Sequence, residues 1–534
     1  MTLLYSTYSV SCQYSTQYIV CDILYGRMEH SSKKIGSLIA EMRNMRGLTQ
    51  TEFARRLNTS QSAINRIEKG GQNLSLDMLA RISEALQKPL VAVGDQGINL
   101  HIEGGHELRG SIALKKSKNA AVALLCASLL NHGVTRFKAF PRIEEVFRII
   151  EVLESIGVKA RWLDGNDLEL RRPTRLKLEN LDATAARKTR SVLMLMGVLM
   201  HEHKYFEIPY AGGCLLGERT VSPHLYALEA FGVDIESPHG AYHIHVKKKS
   251  PERVTLYEQG NTVTNNALMA AAGTKGTVVI QSASADYMVQ DLCVFLKKLG
   301  VKIEGIGTTR LTVSGVKTPV KKNITFAPTE DPIEAMFFIS AAVTTRSSIT
   351  IERVPIDWIA LELLKLEKMG VSMKIGPRYT SDNGAFDLAD VHIEKSTKPL
   401  KRLQDKLHPN LWPGLNPDNL PYFVPIAARI DGRTLIHDWM FENRAIYYTE
   451  MNKIGMNVEL ADPHRVYIHG PTKFSASDVV CPPALRPASL LLIGMLAAPG
   501  ISKLRNVYTI NRGYEDIAER LNSLGAKITV EYSI

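Results

Sequence analysis

The chain has 534 residues, 45% of them hydrophobic and 22% charged, with a formal net charge of +11. That is a globular composition long enough for three or four domain-sized units. No run of eighteen apolar residues occurs and no basic segment followed by an apolar one opens the chain, so the sequence reads as cytoplasmic, with neither a spanning helix nor a membrane partner. The cysteines at 12, 21, 126, 214, 293 and 481 include no CxxC pair and read as reduced thiols, with no zinc site.

In chain order, residues 1–32 hold five tyrosines, two cysteines and only three charged residues, without helical or strand periodicity. They read as a disordered leader or as a start assigned too early. Residues 33–92 read as a small helical bundle. Ile35, Leu38, Ile39 and Met42 recur at helical spacing. Thr49-Gln50-Thr51-Glu52 is a capping box, which starts a second helix carrying Phe53, Ala54 and Leu57. A third, capped by Thr59 or Ser60, turns Ile64 and Ile67 inward and Gln61, Ser62, Asn65 and Arg66 outward. A fourth, over 75–86, closes the core. The short connection and small Ala54 at the crossing suit a helix-turn-helix. The segment from Lys33 to Ala92 also holds ten Lys/Arg against five Asp/Glu, which suggests a polyanion partner.

The stretch LTQTEFARRLNTSQSAINRIEKG closely resembles the DNA-binding domain of phage-repressor-type (XRE-like) regulators. The resemblance implies that Gln50 contacts phosphate while Gln61, Ser62, Asn65 and Arg66 reach base edges in the major groove of double-stranded DNA. Such domains usually bind as dimers, so a homodimer is implied. The alternative is a helical bundle used for protein contacts.

From Val93 strands and helices alternate. A phrase of the form apolar-x-x-apolar-Gly-apolar recurs six times, as LESIGV, LEAFGV, LKKLGV, LEKMGV, MNKIGM and LNSLGA, with glycines at 157, 232, 300, 370, 455 and 525. Each reads as a helix ended by a glycine C-cap and followed by a strand. Six such α/β units, split three and three, make two similar domains with a ligand cleft between them. Within the second unit, Ala211-Gly212-Gly213-Cys214-Leu215-Leu216-Gly217-Glu218-Arg219 places a thiol in a glycine-rich loop between the strand-like run Tyr205 to Pro209 and a helix beginning near Pro223. A nearby arginine lowers a thiol pKa, so Cys214 is a candidate reagent; the alternative is an ordinary buried thiol.

The architecture and these motifs resemble the enolpyruvyl transferase family, specifically the UDP-N-acetylglucosamine 1-carboxyvinyltransferases, which begin peptidoglycan precursor synthesis. The resemblance covers Asn99 to Ile534. It implies an α/β, two-domain enolpyruvyl transferase fold of six βαβ-type repeats, three per domain, preceded by the small all-α helix-turn-helix domain. Domain boundaries follow as 1–32, 33–92 and 93–534, the last divided into 118–328 and 93–117 plus 329–534.

Lys118 and Asn119, in Ser117-Lys118-Asn119-Ala120-Ala121, resemble the family's lysine-asparagine motif, the lysine meeting phosphoenolpyruvate and the asparagine the amino-sugar. Arg190 sits at the family's distance before the cysteine loop. Cys214 and Arg219 match the loop cysteine and phosphate-binding arginine, and His224 the uracil-side histidine. Asp418 in Asn-Pro-Asp stands for the catalytic aspartate. Arg444 in Phe-Glu-Asn-Arg, Arg486 in Leu-Arg-Pro-Ala-Ser and Arg512 in Asn-Arg-Gly-Tyr-Glu complete the set. Phosphoenolpyruvate carries a phosphate and a carboxylate, so these arginines and Lys118 form a pool of cations for it and for a nucleotide diphosphate. Asp418 is the candidate base for the sugar 3-hydroxyl, and Cys214 either protonates C3 of phosphoenolpyruvate or attacks C2. The reaction needs no metal or organic cofactor.

Three positions depart from the family pattern. Ala484 and Ser222 stand where aspartates are usual, and Asn511 replaces an acidic residue beside Arg512; together they allow an altered acceptor. The readings left are a transferase acting on UDP-N-acetylglucosamine, one acting on another nucleotide, and a DNA-binding regulator that uses the transferase-like part as a nucleotide-sugar sensor.

Overall fold

The computed structural model describes residues 36, 37, 39, 40, 42–44, 46–71, 78, 81, 82, 85, 86, 97–211, 221–237, 240–316, 320–396 and 399–533. The chain divides into two compact units, Met1–Asp95 with Tyr532–Ile534, and Gln96–Glu531.

In the first unit the Thr49 hydroxyl accepts the Glu52 N–H at 3.1 Å and the Glu52 carboxylate accepts the Thr49 N–H at 2.7 Å. This reciprocal pair starts helix Gln50–Arg56 as the sequence predicts. Ser60, of the two candidates, caps helix Gln61–Glu68. Ile39, Met42, Phe53, Ala54, Leu57, Ile64, Ile67, Ile82 and Leu86 form one buried core. Ile35, Leu38 and most of the expected fourth helix lie outside the described residues, as does the leader 1–32.

Among its described residues the second unit holds six small sheets. Three lie among residues 134–326, and their helices pack into one core that runs from Ala120 to Phe326. Three more use strands Gly97–Gly104 and Arg109–Ala113 together with residues beyond 348, around a core of residues 100–114 and 333–528. All six repeat glycines adopt the left-handed backbone that a C-cap requires, with φ between +79° at Gly232 and +108° at Gly300. Each is followed within three residues by a strand, from Lys159–Trp162 to Lys527–Ser533. The fold is α/β with a small all-α unit before it, the class the sequence implies.

Trp358 and Phe386, with the partly buried Trp412 beside them, are exceptions to the segregation of cores. They come from the second set of residues and pack into the first core, where Trp358 lies 5.8 Å from the Tyr287 ring. Among the described residues no helix is long and apolar enough to cross a membrane.

Candidate active site

The two lobes of the second unit are joined by two crossing segments that run side by side. The Ser117 N–H donates to the Thr329 carbonyl at 2.8 Å and the Asp331 N–H to the Lys115 carbonyl at 2.9 Å. Each crossing ends in a helix N-terminus. Ser117 caps helix Lys118–Ala127, and Asp331 caps helix Pro332–Thr344. Asp331 also accepts the Lys118 N–H at 3.4 Å. Two positive helix ends therefore meet at the crossing, a setting that attracts anions. Burial pushes the Asp331 carboxyl up to about 6, against the pull of the Arg486 charge.

On one side of the crossing, Glu145 gathers side chains that are distant in sequence. Its carboxylate lies 3.7 Å from Lys118 Nζ and accepts from Arg512 Nη2 at 3.2 Å and from the Thr189 hydroxyl at 2.8 Å. Burial works to raise its pKa, but the charges of Lys118 and Arg512 and the Thr189 bond hold it below the ordinary value. Asn119 is half-buried beside Lys118, at the second position of the same helix.

Thr189 also caps the short turn Arg190–Leu195, which brings Arg190 next to the carboxylate's own hydrogen-bond donor. The Arg190 charge reaches His224, on helix Ser222–Glu229. Burial first, and Arg190 second, push that imidazole down to about 3. A neutral ring fits its partners, Asn266 Nδ2 at 3.2 Å from Nδ1 and Thr262 Oγ1 at 3.3 Å from Nε2.

On the other side stands Asp418. Its N–H donates to Asn416 Oδ1 at 2.8 Å, which fixes the loop. Arg444 Nη1 lies 3.5 Å from one carboxylate oxygen and Arg486 Nη2 3.3 Å from the other. Burial favours the neutral acid, but Arg486, Arg444 and Lys118 outweigh it and keep the carboxyl below its ordinary value. The Lys118 charge thus acts on both carboxylates, Glu145 and Asp418.

The two arginines are themselves held. Arg444 is fully buried, donates to both oxygens of Asp438 at 2.6 and 2.8 Å and to the Pro417 carbonyl at 2.6 Å, and stacks 4.0 Å from the Phe441 ring centre. Arg486 donates to the Tyr514 hydroxyl at 3.0 Å and approaches the Tyr422 hydroxyl at 3.5 Å, and the two tyrosine hydroxyls bond to each other. Burial raises the Asp286 carboxyl to about 7, and the charge of Asp418 adds to the shift.

The structure thus brings together Lys118, Arg512, Asp418, Arg444 and Arg486, with Arg190 and His224 side by side. Cys214 and Arg219 lie outside the described residues. Cys126, Cys293 and Cys481 are buried thiols, each pushed up to about 12 by burial. Ala484 stands at the N-cap of helix Leu485–Ala497, where it is buried and offers no side-chain acceptor to the helix N–H groups. Ser222 is the first residue of its helix, and Asn511 is half-buried at the end of helix Tyr508–Asn511.

Sequence reasoning missed Glu145, Asp331, Asp438, Tyr422 and Tyr514. Glu145 reads as an ordinary acidic residue of a first helical turn, which it also is. Tyr514 carried a signal, since it stands two residues after Arg512 in the motif that singled out that arginine.

In the helix-turn-helix unit, Gln61 and Ser62 are exposed, Asn65 is partly so and Arg66 is exposed. Gln61 Nε2 donates to Gln50 Oε1 at 2.6 Å, and Gln50 Nε2 donates to Glu68 at 2.7 Å. Glu68 is anchored by Arg43 at 2.5 Å. The amides of Gln50 and Gln61 are consequently oriented as one unit.

The family model for EPSP synthase (3-phosphoshikimate 1-carboxyvinyltransferase) matches residues 102–521, and a helix-turn-helix model matches residues 39–93. The UDP-N-acetylglucosamine 1-carboxyvinyltransferase of Treponema denticola is 31% identical over 431 residues, 80% of this chain and 98% of the relative. That of Deinococcus deserti is 32% identical over 432 residues, 80% of this chain and 96% of the relative. Among solved structures, the enolpyruvyl transferase NikO from Streptomyces tendae superposes with a TM-score of 0.71 at 22% identity, covering 82% of this chain and 100% of that one. An EPSP synthase from Acinetobacter baumannii gives 0.61 at 18% identity, covering 81% and 100%. Both structural likenesses are likenesses of fold.

Proposed function

The chain belongs to the EPSP synthase (3-phosphoshikimate 1-carboxyvinyltransferase) family of enolpyruvyl transferases, and we propose that it moves the enolpyruvyl group of phosphoenolpyruvate to the 3-hydroxyl of UDP-N-acetylglucosamine with release of phosphate. The observation that carries the reading is Asp418, an ionised carboxylate held between two arginines and within reach of the Lys118 charge. The acceptor is supported by relatives of that name, matched over nearly their whole length.

In this reading Lys118, Arg190, Arg219 and Arg512 meet the anionic groups of phosphoenolpyruvate, Asn119 the amino-sugar and His224 the nucleotide side, while Arg486 keeps Asp418 ionised. Arg444 positions Asp418. Asp418 takes the proton of the sugar hydroxyl as its oxygen attacks C2, while the Cys214 thiol gives a proton to C3. The tetrahedral ketal, stabilised by the surrounding cations, then expels phosphate. The Cys214 thiolate recovers the C3 proton as the double bond re-forms. The proposed domains are those of the sequence reading, 33–92 for duplex DNA binding as a dimer and 93–534 for transfer in the cytoplasm.

The test is phosphate release from phosphoenolpyruvate with UDP-N-acetylglucosamine present. Turnover that is lost in Cys214→Ala and Asp418→Ala is expected. Nucleotide-sugar binding without phosphate release refutes the enzyme and favours a sensor. A specific observation supports one second reading. Ala484 leaves a helix N-terminus without a carboxylate, which suits a different nucleotide acceptor that brings its own phosphate monoester there. Faster phosphate release with a nucleoside monophosphate than with the nucleotide sugar selects it.

A further inference from the structure

The sheet with strand order Ile324–Phe326, Val134–Phe137, Leu168–Arg171, Lys159–Trp162 turns one face to the core and one outward. Alternation along the strands puts Arg136, Lys159, Arg161, Glu169 and Arg171 on the outer face. The register sets Glu169 directly between Arg136 on one neighbour and Arg161 on the other, and Lys159 directly opposite Arg171. Arg136 and Arg171 bond Glu169 at 2.9 and 3.0 Å, and Arg161 lies 3.5 Å away. One carboxylate, its side chain 4% exposed, therefore answers three arginines, and Arg161 and Arg171 remain 67% and 60% exposed.

Satisfying Glu169 requires one arginine. The other two arginines and the Lys159–Arg171 opposition add like-charge repulsion, which costs rather than stabilises when cations face each other across a strand pair. None of the exposed large hydrophobic side chains falls on these strands, so the face has nothing to insert into a lipid surface. Lys159 and Arg161, two residues or about 6.6 Å apart along one strand of a stiff sheet, with Arg171 on the neighbouring strand, present cations to a row of phosphates.

We propose that this arginine face of the transferase lobe, built from Arg136, Lys159, Arg161 and Arg171, is a second, sequence-independent contact for the phosphate backbone of duplex DNA. It rests on the DNA-binding reading only for the choice of duplex over other polyanions. It needs none of Gln61, Asn65 or Arg66.

The experiment uses the full chain and a fluorescent duplex of mixed sequence, with binding followed by anisotropy across a salt series. Each phosphate contact contributes about 0.9 to the slope of log K against log salt. Arg161→Gln/Arg171→Gln is therefore expected to lower that slope by about 1.8 and to weaken binding at low salt at least tenfold, with phosphate release from phosphoenolpyruvate unchanged. A parallel Gln61→Ala/Asn65→Ala/Arg66→Ala chain separates the two readings. If only that chain loses binding, the arginine face is overturned and the helix-turn-helix reading stands. If only the arginine double variant loses it, the reverse holds. A native chain that ignores duplex but sediments with phosphatidylserine vesicles also overturns the proposal.

Discussion

Tyr514→Phe removes one hydroxyl from the proposed catalytic centre, and with it the bonds to Arg486 and to the Tyr422 hydroxyl. The substitution keeps the ring, 5.1 Å from Phe337, and removes only the hydroxyl that accepts from Arg486 at 3.0 Å. Arg486 is then left with the longer Tyr422 contact at 3.5 Å and its 3.3 Å bond to Asp418. A hydrogen bond to a charged group is worth about 1.5–3 kcal/mol, and about 1.4 kcal/mol is tenfold in rate. If the hydroxyl holds Arg486 against Asp418, kcat/KM for phosphoenolpyruvate falls by about tenfold or more. The pH profile moves as well. Asp418 is held below its ordinary pKa, so the carboxylate and the activity are present above the depressed value and lost as pH falls through it. A looser Arg486 shifts that acid limb to higher pH. The assay is phosphate release across the acid limb, with urea unfolding alongside. A native acid limb and native kcat/KM, accompanied only by a lower urea midpoint, refute the reasoning and leave the hydroxyl a structural role.

Three further outcomes are expected. Glu145→Gln removes the carboxylate between Lys118 and Arg512, so phosphoenolpyruvate binds about three- to tenfold more tightly by calorimetry, as loss of a partly exposed ion pair allows; weaker binding shows instead that Glu145 positions the cations. Asp291 is fully buried, and burial pushes it up to about 8 although it accepts from the Thr329 N–H at 2.7 Å and from Asn383 at 2.9 Å. A folded pKa raised above that of the unfolded chain destabilises the fold as pH rises from about 4 towards 8, so Asp291→Asn flattens the fall of the urea midpoint over that window, and an unchanged fall counts against it. Gly370 has φ +87° with no atom within 4 Å of an added Cβ, so Gly370→Ala costs only the left-handed backbone, about 1–2 kcal/mol; at Gly455 the added atom also meets the Lys473 carbonyl at 2.8 Å, and Gly455→Ala unfolds at lower urea.

Legibility followed the range of the interaction. The six repeat glycines were readable because a single residue type tolerates their backbone, and the structure places every one of them at positive φ. The Thr49 capping box was readable for the same reason, since its two bonds lie within four residues. Lys118, Asp418 and the arginines were readable as motifs, each a short run with an unusual residue. Glu145 was not, because its meaning comes from Thr189 and Arg512, 44 and 367 residues away. Asp438 and Tyr422 are equally silent. Nothing local separates a tyrosine that fills a core from one whose hydroxyl, 64 residues from Arg486, orients a guanidinium.

The contacts also sort the arginines that the sequence pooled. Arg444 has a guanidinium that is 1% exposed and saturated by Asp438, so a substrate anion would gain it only by breaking a buried pair, at a cost of about 3–5 kcal/mol. Lys118 and Arg512 stand 19% and 22% exposed and share a single carboxylate, so an incoming phosphate adds a counter-charge where one is wanting. Arg486 lies between these cases, 10% exposed and bonded to the base itself. Of these four cations, Lys118 and Arg512 are therefore the ones that bind anions in the proposed reaction, while Arg444 and Arg486 keep Asp418 ionised. It follows that Arg512→Ala raises the KM for phosphoenolpyruvate more than it lowers kcat, whereas Arg486→Ala lowers kcat first; the opposite split undoes this division of labour.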